Sequence, residues 1–362
     1  MNVKNKLKVA ILKQYFENVI DNIVCQQEKL NELKPGDLQQ YPKLLYKYRD
    51  GTNDYDFQML EEQYIWADIP MNFHDPFDAL VNLKLKSELP GIQKWLYNHL
   101  GELLYYSIQP KGMQPHKNGQ TLENYLEAQN RFIDITGRFN AQKAKSIMIL
   151  ETKKMHPQNR AMLQKAYDKF ESPEFEETIQ QAIKNTLENV VSSLRKNHMV
   201  CCLTERKDNQ KMWEDYANIY SGFVIEYNLE NCAEYPECYS TISKMFPVSY
   251  YKRMPKVPLL PFIEKVFYKE LYGKDVSSFD ASKKLFKQLL IKKHDYMQEE
   301  EWRIISSEHK IKFPFISAIY AGEKISENTF ERLKEICIKC GYSLYKQRFT
   351  LTGEINYDLI LN

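Results

Sequence analysis

The sequence predicts an α+β protein with a mixed, mostly antiparallel sheet core of about eight strands, a long all-helical insertion and an N-terminal helix. Three observations point to this class. Aromatic-rich strand patterns occur towards both ends of the chain, residues 90–197 show helical periodicity with almost no strand pattern, and residues 3–33 carry apolar side chains at helical spacing. The predicted domains are 1–36 (helix), 37–89 with 198–362 (core) and 90–197 (insertion).

The core elements follow from alternating aromatic and β-branched residues bounded by turn residues. The N-terminal part predicts strands at 44–49 and 64–69 around a helix at 53–62, and then a polar loop. The C-terminal part predicts strands at 198–204, 222–227, 246–251, 302–306, 318–321 and 343–349, and helices at 209–220, 259–273, 278–293 and 326–340. Strands from both ends would form one sheet, with the helical block inserted between them.

Glycine usage excludes several familiar enzyme classes. The 362 residues include only 12 glycines, and no two are closer than Gly112 and Gly119. This spacing rules out a Gly-rich dinucleotide turn, a phosphate-binding P-loop and a nucleophile elbow. The net charge of +2 gives no argument for general nucleic-acid binding.

Cysteine usage and hydropathy predict a cytoplasmic protein without a membrane partner. The seven cysteines are irregularly spaced, which is typical of reduced thiols, and no apolar run has the length of a signal peptide core or a membrane span. Cys337 and Cys340 form a C-x-x-C within a helical pattern. We interpret them as part of an apolar stripe, because a zinc site would need a second suitably spaced pair, and we predict no metal.

The strongest chemical cluster is Gln-Glu-Glu-Glu-Trp-Arg at 298–303. In an extended chain Glu299, Glu301 and Arg303 share one face. Two carboxylates about 7 Å apart along a strand suit acid–base work or stabilisation of a sugar cation. The alternative is that Arg303 only pairs with a neighbouring carboxylate on an exposed rim.

Two further clusters lie in the N-terminal part of the core. In Tyr-Lys-Tyr-Arg at 46–49, Lys47 and Arg49 share a strand face and could clamp a phosphate, or simply form a solvated edge. In the loop 72–78, His74 and Asp75 could act chemically or hydrogen-bond the loop backbone.

Two helical patterns in the C-terminal part also carry candidate residues. Met212, Trp213 and Tyr216 lie at spacings typical of a core, although they could also form a stacking platform beside the polar loop that precedes them. A basic run in the predicted helix 278–293 is interpreted as a solvated face. It consists of Lys283, Lys284, Lys287, Lys292 and Lys293.

Taken in order, these segments resemble the mostly bacterial family called domain of unknown function 2971. The resemblance rests on Tyr-Lys-Tyr-Arg at 46–49, Phe-His-Asp-Pro-Phe-Asp at 73–78, the segment from Cys202 through Asp-Asn, Met-Trp and Tyr-Ala to Gly-Phe at 222–223, and Glu-Glu-Glu-Trp-Arg at 299–303. It covers 44–78 and 200–325. Asp68, His74 and Tyr220 stand where the family pattern has serine, asparagine and histidine.

A more distant resemblance is to ADP-ribosyltransferases, in which an early strand ends in arginine and a late E-x-E enters a strand. It implies that Arg49 binds the phosphates or ribose of NAD, that Glu301 stabilises the oxocarbenium ion as nicotinamide leaves, and that Glu299 orients the acceptor. NAD would be the substrate, the acceptor an unknown protein or nucleic acid, and the protein a toxin or phage-defence effector. The other cofactor-binding candidates are Tyr48, Trp66, Asp75 and Trp213.

Two other functional classes remain open from the sequence. One is a non-catalytic interaction or sensor protein whose helical block 90–197 binds a protein partner. The other is a hydrolase of nucleic acid or nucleotides, in which Glu299, Glu301 and Asp75 would hold a divalent metal.

Overall fold

The structure, a computed structural model, describes residues 35–73, 196–260 and 279–362, together with scattered positions between residues 16 and 264. Most of the predicted N-terminal helix, of the helical insertion and of the helix at 259–273 lies outside the described residues, and so does His74. The chain divides into two compact units: Met1–Leu80, Ser193–Pro255 and Leu285–Asn362 form the first, and Val81–Ser192 with Lys256–Lys284 the second. The predicted domain boundaries stay predictions.

The described strands belong to one large sheet and two small ones. Their bounds are β1 (Leu44–Arg49), β2 (Tyr64–Trp66), β3 (Met199–Thr204), β4 (Phe223–Asn228), β5 (Met245–Pro247), β6 (Ser249–Tyr251), β7 (Ile291–Lys293), β8 (Glu301–Ser306), β9 (Lys310–Lys312), β10 (Ile316–Ala321), β11 (Ser343–Phe349) and β12 (Ile355–Leu361). The large sheet has eight strands in the order β12-β11-β10-β4-β1-β3-β8-β5. All its pairs are antiparallel except β10 with β11, so the predicted mixed, mostly antiparallel sheet is confirmed.

Strand β1 lies in the middle of this sheet. At its end, the chain opposite comes so close that it has no room for a side chain. Strand β1 pairs with β4 on one side and with β3 on the other, and Arg49 lies opposite Phe223. A Cβ on Gly222 would lie 2.1 Å from the carbonyl oxygen of Arg49, which only glycine avoids. This close approach fixes the backbone of Arg49 at the strand end.

Each described α-helix lies between two strands along the chain. Their bounds are α1 (Asp54–Glu62), α2 (Gln210–Tyr216), α3 (Tyr239–Ile242), α4 (Phe279–Lys287) and α5 (Glu327–Cys340). Helix α5 connects the parallel strands β10 and β11, and it buries Leu333, Ile336 and Cys337. Burial raises the pKa of the Cys337 thiol to about 12, as expected for a packed rather than a reactive cysteine.

The N-terminus of α5 carries a side-chain cap whose removal should be measurable. The Ser326 side chain accepts a hydrogen bond from the backbone N–H of Thr329. Ser326→Ala should therefore lower the free energy of unfolding by about 1 kcal/mol, measured by urea unfolding. Ser307→Ala, at an exposed position in the turn between β8 and β9, is the control and should leave stability unchanged; equal effects of the two changes would contradict the capping role.

Four predicted elements differ from the structure. The predicted strand 64–69 ends at Trp66. The predicted helix 209–220 ends at Tyr216, because Asn218, Ile219 and Tyr220 adopt positive φ angles. The predicted strand 246–251 is two strands: β5 pairs with β8, whereas β6 pairs in parallel with β7.

The predicted helix 278–293 is also shorter than expected. It ends at Lys287, and the chain passes through a 3-10 helix into β7. Lys292 is therefore on a strand and buried, so its interpretation as part of a solvated helix face was wrong. Among the described residues, no helix combines the length and apolar character needed to cross a bilayer.

Candidate functional site

A cavity of about 340 Å³ opens beside β1 and β3, within the first unit. Its volume is at the lower end of the range typical of small-molecule sites. The residues predicted as site candidates that line it are Tyr48, Arg49, Trp66, Asp75, Glu299 and Glu301. The fold therefore brings together residues that are up to about 250 positions apart in the sequence.

The two candidate glutamates flank a sharp change of backbone direction. Glu299 ends a 3-10 helix, Glu300 adopts a left-handed conformation with φ 44°, and Glu301 begins β8. Hydrogen bonds from β3 and from the N-cap of α2 hold Gln298 and Glu299. The Thr204 hydroxyl donates to the Glu299 carbonyl, and Asn209 Nδ2 donates to the Gln298 carbonyl at 2.9 Å. This tethering favours a single placement of the two carboxylates.

Lys292 on β7 lies between the two carboxylates. Its Nζ is 2.7 Å from Glu299 Oε2 and 3.0 Å from Glu301 Oε2, and Asp78 Oδ2 is 3.5 Å away. The lysine side chain is only 6% exposed, so water screens these charges weakly. One ammonium thus bridges three carboxylates at the inner end of the cavity.

Arg303 supports the same cluster from inside the protein. Its guanidinium is fully buried and contacts Glu301 Oε1 at 2.7 Å, Asp78 Oδ1 at 2.6 Å and the Leu289 carbonyl at 2.6 Å. The expected face shared by Glu301 and Arg303 is observed, but the prediction was wrong for Glu299, which ends a 3-10 helix instead of lying on the strand. The alternative predicted that Arg303 pairs with a carboxylate on an exposed rim. Arg303 does pair with carboxylates, but the prediction of an exposed rim was wrong, because the pairs are buried.

The environments of the two glutamates shift their pKa values in opposite directions. Burial alone would raise the pKa of Glu301, but Arg303 and Lys292 outweigh it and hold that pKa well below its usual range. Burial also raises the pKa of Glu299, and Lys292 only partly offsets the effect. Carboxylates separated in this way can take different roles, one staying ionised and the other exchanging a proton.

Two cations lie along the β1 side of the cavity. Lys47 Nζ donates to the Cys202 carbonyl at 2.7 Å, and an ammonium has two further donors. Arg49 Nη2 contacts Met59 Sδ at 3.1 Å, and its Nε is 3.5 Å from Asp56 Oδ1. The Arg49 Nε is buried and has no hydrogen-bond partner among the described residues. This side of the cavity therefore carries two positive charges, and the Lys47 ammonium has donors left for an anionic group.

The aromatic candidates separate into core and cavity residues. Trp213 does not line the cavity: it is fully buried, stacks on Tyr220 and donates its indole N–H to the Lys207 carbonyl. Tyr48 lines the cavity but is mostly buried, with its ring edge against Trp213. Trp66 is 44% exposed, and so is Tyr216 at 39%. Of the rings that line the cavity, Trp66 and Tyr216 are thus the most exposed, and Trp66 is stacked on His309.

The departures from the family pattern have structural roles where they are described. The Asp68 side chain lines the cavity and accepts hydrogen bonds from the Ile69 backbone N–H and Asn72 Nδ2, at 2.8 and 2.9 Å. Its charge thus caps the turn that follows it. Tyr220, with φ 68°, packs its ring between Trp213 and Phe349.

A divalent metal held by Glu299, Glu301 and Asp75 is not supported by the charge arrangement. The Lys292 ammonium already lies between the two glutamates, and a cation there would be repelled. Within the part of the chain that the structure describes, no group of three His, Cys, Asp or Glu residues could hold a metal ion.

Sequence reasoning did not assign Lys292, Asp78 or Tyr216 to the cavity. Lys292 lay in an apparent helical basic run, and Asp78 closed a polar loop without any pattern linking it to Arg303. The spacing of Tyr216 predicts a core residue or part of a stacking platform, but not a contact with the glutamate cluster. Partners brought together by the fold leave no local signal for such assignments.

The fold and site define an α+β protein with a cavity built over a buried ionic cluster. Residues 212–304 match the model of a family described as Protein of unknown function (DUF2971). This match includes most of α2, all of β4, Lys292 and both candidate glutamates, and it supports the resemblance over part of its predicted extent. The comparisons with curated proteins and with solved structures found no match.

Proposed function

We propose that the protein is an ADP-ribosyltransferase-like enzyme, which cleaves the nicotinamide–ribose bond of NAD and transfers ADP-ribose to a protein or nucleic-acid acceptor. The observation that carries the proposal is the pair of glutamates with opposed pKa shifts at the inner end of a cavity that also has two cations on its wall. The cations would hold the phosphates of NAD, and the glutamates would act at the ribose. This chemistry would suit a toxin or phage-defence effector, because it consumes NAD and alters the acceptor.

In the proposed reaction the bond between the nicotinamide nitrogen and the ribose C1′ breaks, and its electron pair stays on nitrogen, releasing neutral nicotinamide. The ionised Glu301 stabilises the positive charge that develops on the sugar. The acceptor then forms the new bond to C1′, and its proton passes to Glu299. The raised pKa of Glu299 makes it the stronger base of the two.

The direct test is to incubate the full chain with NAD labelled in the nicotinamide ring and, separately, in the adenine ring, with and without cell lysate. Release of labelled nicotinamide and transfer of the adenine label to lysate material are the expected results. If wild-type protein releases no nicotinamide under either condition, the proposal fails.

The proposal also predicts a pH dependence. Glu299 acts as a base only when deprotonated, so kcat/KM should fall as the pH drops through its raised pKa. Because that pKa lies above the ordinary glutamate value, the fall should begin at a higher pH than for an unperturbed glutamate. The profile of Glu299→Gln should lack this acid limb, whereas Glu308→Gln, at an exposed position, should retain it. If kcat/KM of Glu299→Gln fell at low pH as it does in the wild type, Glu299 would not be the base.

A further inference from the structure

A second cavity, of about 470 Å³, adjoins the candidate cavity. The two cavities have four lining residues in common, namely Lys47, Tyr48, Arg49 and Tyr216. The shared wall therefore carries two cations and one exposed aromatic ring. All the lining residues of both cavities belong to the first unit of the chain.

Outside the shared wall, the charged residues that line the second cavity are all acidic. Its wall includes four carboxylates, those of Asp50, Asp56, Glu214 and Asp215. Burial would raise the pKa of Asp50, but hydrogen bonds from the Thr52 backbone N–H and hydroxyl hold it below its ordinary value. This carboxylate is therefore ionised at neutral pH and has capacity to accept hydrogen bonds from a hydroxyl.

A two-part site with cations at the junction matches a dinucleotide, which consists of two nucleosides joined by a pyrophosphate. We propose that the second cavity takes the adenosine half of NAD, with the pyrophosphate at Lys47 and Arg49, and that its carboxylates make the site selective for NAD over NADP. The inference rests on the proposed function, whose reaction occurs in the first cavity. The geometry that supports it is the placement of Lys47 and Arg49 on the wall that the two cavities share.

The selectivity follows from charge. A carboxylate accepts hydrogen bonds from the ribose hydroxyls of NAD, and the same carboxylate repels the additional phosphate that NADP carries on one of them. Lys47 and Arg49 do not compensate for this repulsion, because the pyrophosphate is bound there. Glu214 and Asp215 are exposed on α2, so their charge can be removed without disturbing the core.

The test is a ligand-observed NMR titration of the full chain with NAD and with NADP. NADP should bind at least about tenfold more weakly than NAD. In the double variant Glu214→Gln, Asp215→Asn, the ratio of the NADP and NAD dissociation constants should fall several-fold, because NADP binds more tightly. Glu308→Gln should leave this ratio unchanged. Circular dichroism checks that each variant is folded.

The inference would be overturned if the wild type bound the two dinucleotides with equal affinity. It would also be overturned if the double variant kept the wild-type ratio of the two dissociation constants. The proposed function is tested separately, by measuring nicotinamide release. Selective binding without release would defeat the proposed function alone, and release from NAD and NADP at equal rates would defeat the selectivity alone. Absence of any binding would overturn the inference as well.

Discussion

Arg303→Met should lower the free energy of unfolding by about 3–5 kcal/mol. The arginine is fully buried and contacts both Glu301 and Asp78. Without it, these carboxylates stay in the interior with Lys292 as their remaining cationic partner in the cluster, and the Leu289 carbonyl loses its donor. Methionine is similar in length, so the expected loss arises from the uncompensated charges rather than from a large void.

The matched control is Arg206→Met. Arg206 pairs with Glu300 at 2.7 Å, but both side chains are about half exposed, and such surface pairs contribute only about 0–1 kcal/mol. Urea unfolding followed by tryptophan fluorescence gives both values under the same conditions. If the two substitutions cost the same, the buried cluster does not depend on Arg303 in the way that its contacts indicate.

Glu301→Gln should reduce nicotinamide release from NAD by about 10²–10³-fold, the range measured when one stabilising group is removed from a charged transition state. Glutamine has nearly the same shape, but it lacks the negative charge that would stabilise the sugar cation. Arg303 and Lys292 keep Glu301 ionised, so the charge should be present across the neutral and mildly acidic range. We therefore expect the loss in kcat rather than in KM.

The neighbouring Glu300→Gln is the control, because Glu300 is turned away to Arg206 on the surface. It should release nicotinamide at the wild-type rate. Circular dichroism and thermal unfolding of both variants separate a catalytic effect from a loss of folded protein. Equal release by the Glu301→Gln and Glu300→Gln variants, with both folded, would remove the proposed role of Glu301.

The sequence alone predicts the elements whose pattern is local. The strand at 44–49 coincides with β1, and the helix at 326–340 coincides with α5 apart from its cap. The segment Ile291–Lys293 was missed because its strand conformation depends on pairing with β6, which no local pattern records. The last strand, β12, was also missed, since its residues are mostly exposed and lack clear alternation of burial.

The candidate site shows the same division. Alternation along a strand placed Glu301 and Arg303 on one face, and the observed ion pair confirms that placement. The bridging lysine could not be predicted, because its ammonium reaches the glutamates only after β7 forms beside β6. Trp213 has the spacing of a core residue, and the structure places it in the core, where it supports Tyr48 rather than a ligand.

The position of β1 also has a consequence for biosynthesis. Lys47 hydrogen-bonds to Cys202, 155 residues later in the chain, and both neighbours of β1 in the sheet come from beyond residue 198. At elongation rates of about 5–20 residues per second, β1 leaves the ribosome roughly 10–30 s before its partners do. The nascent strand is rich in tyrosine and has two unpaired edges throughout that interval, so it is the segment of the sheet for which we expect chaperone binding during translation.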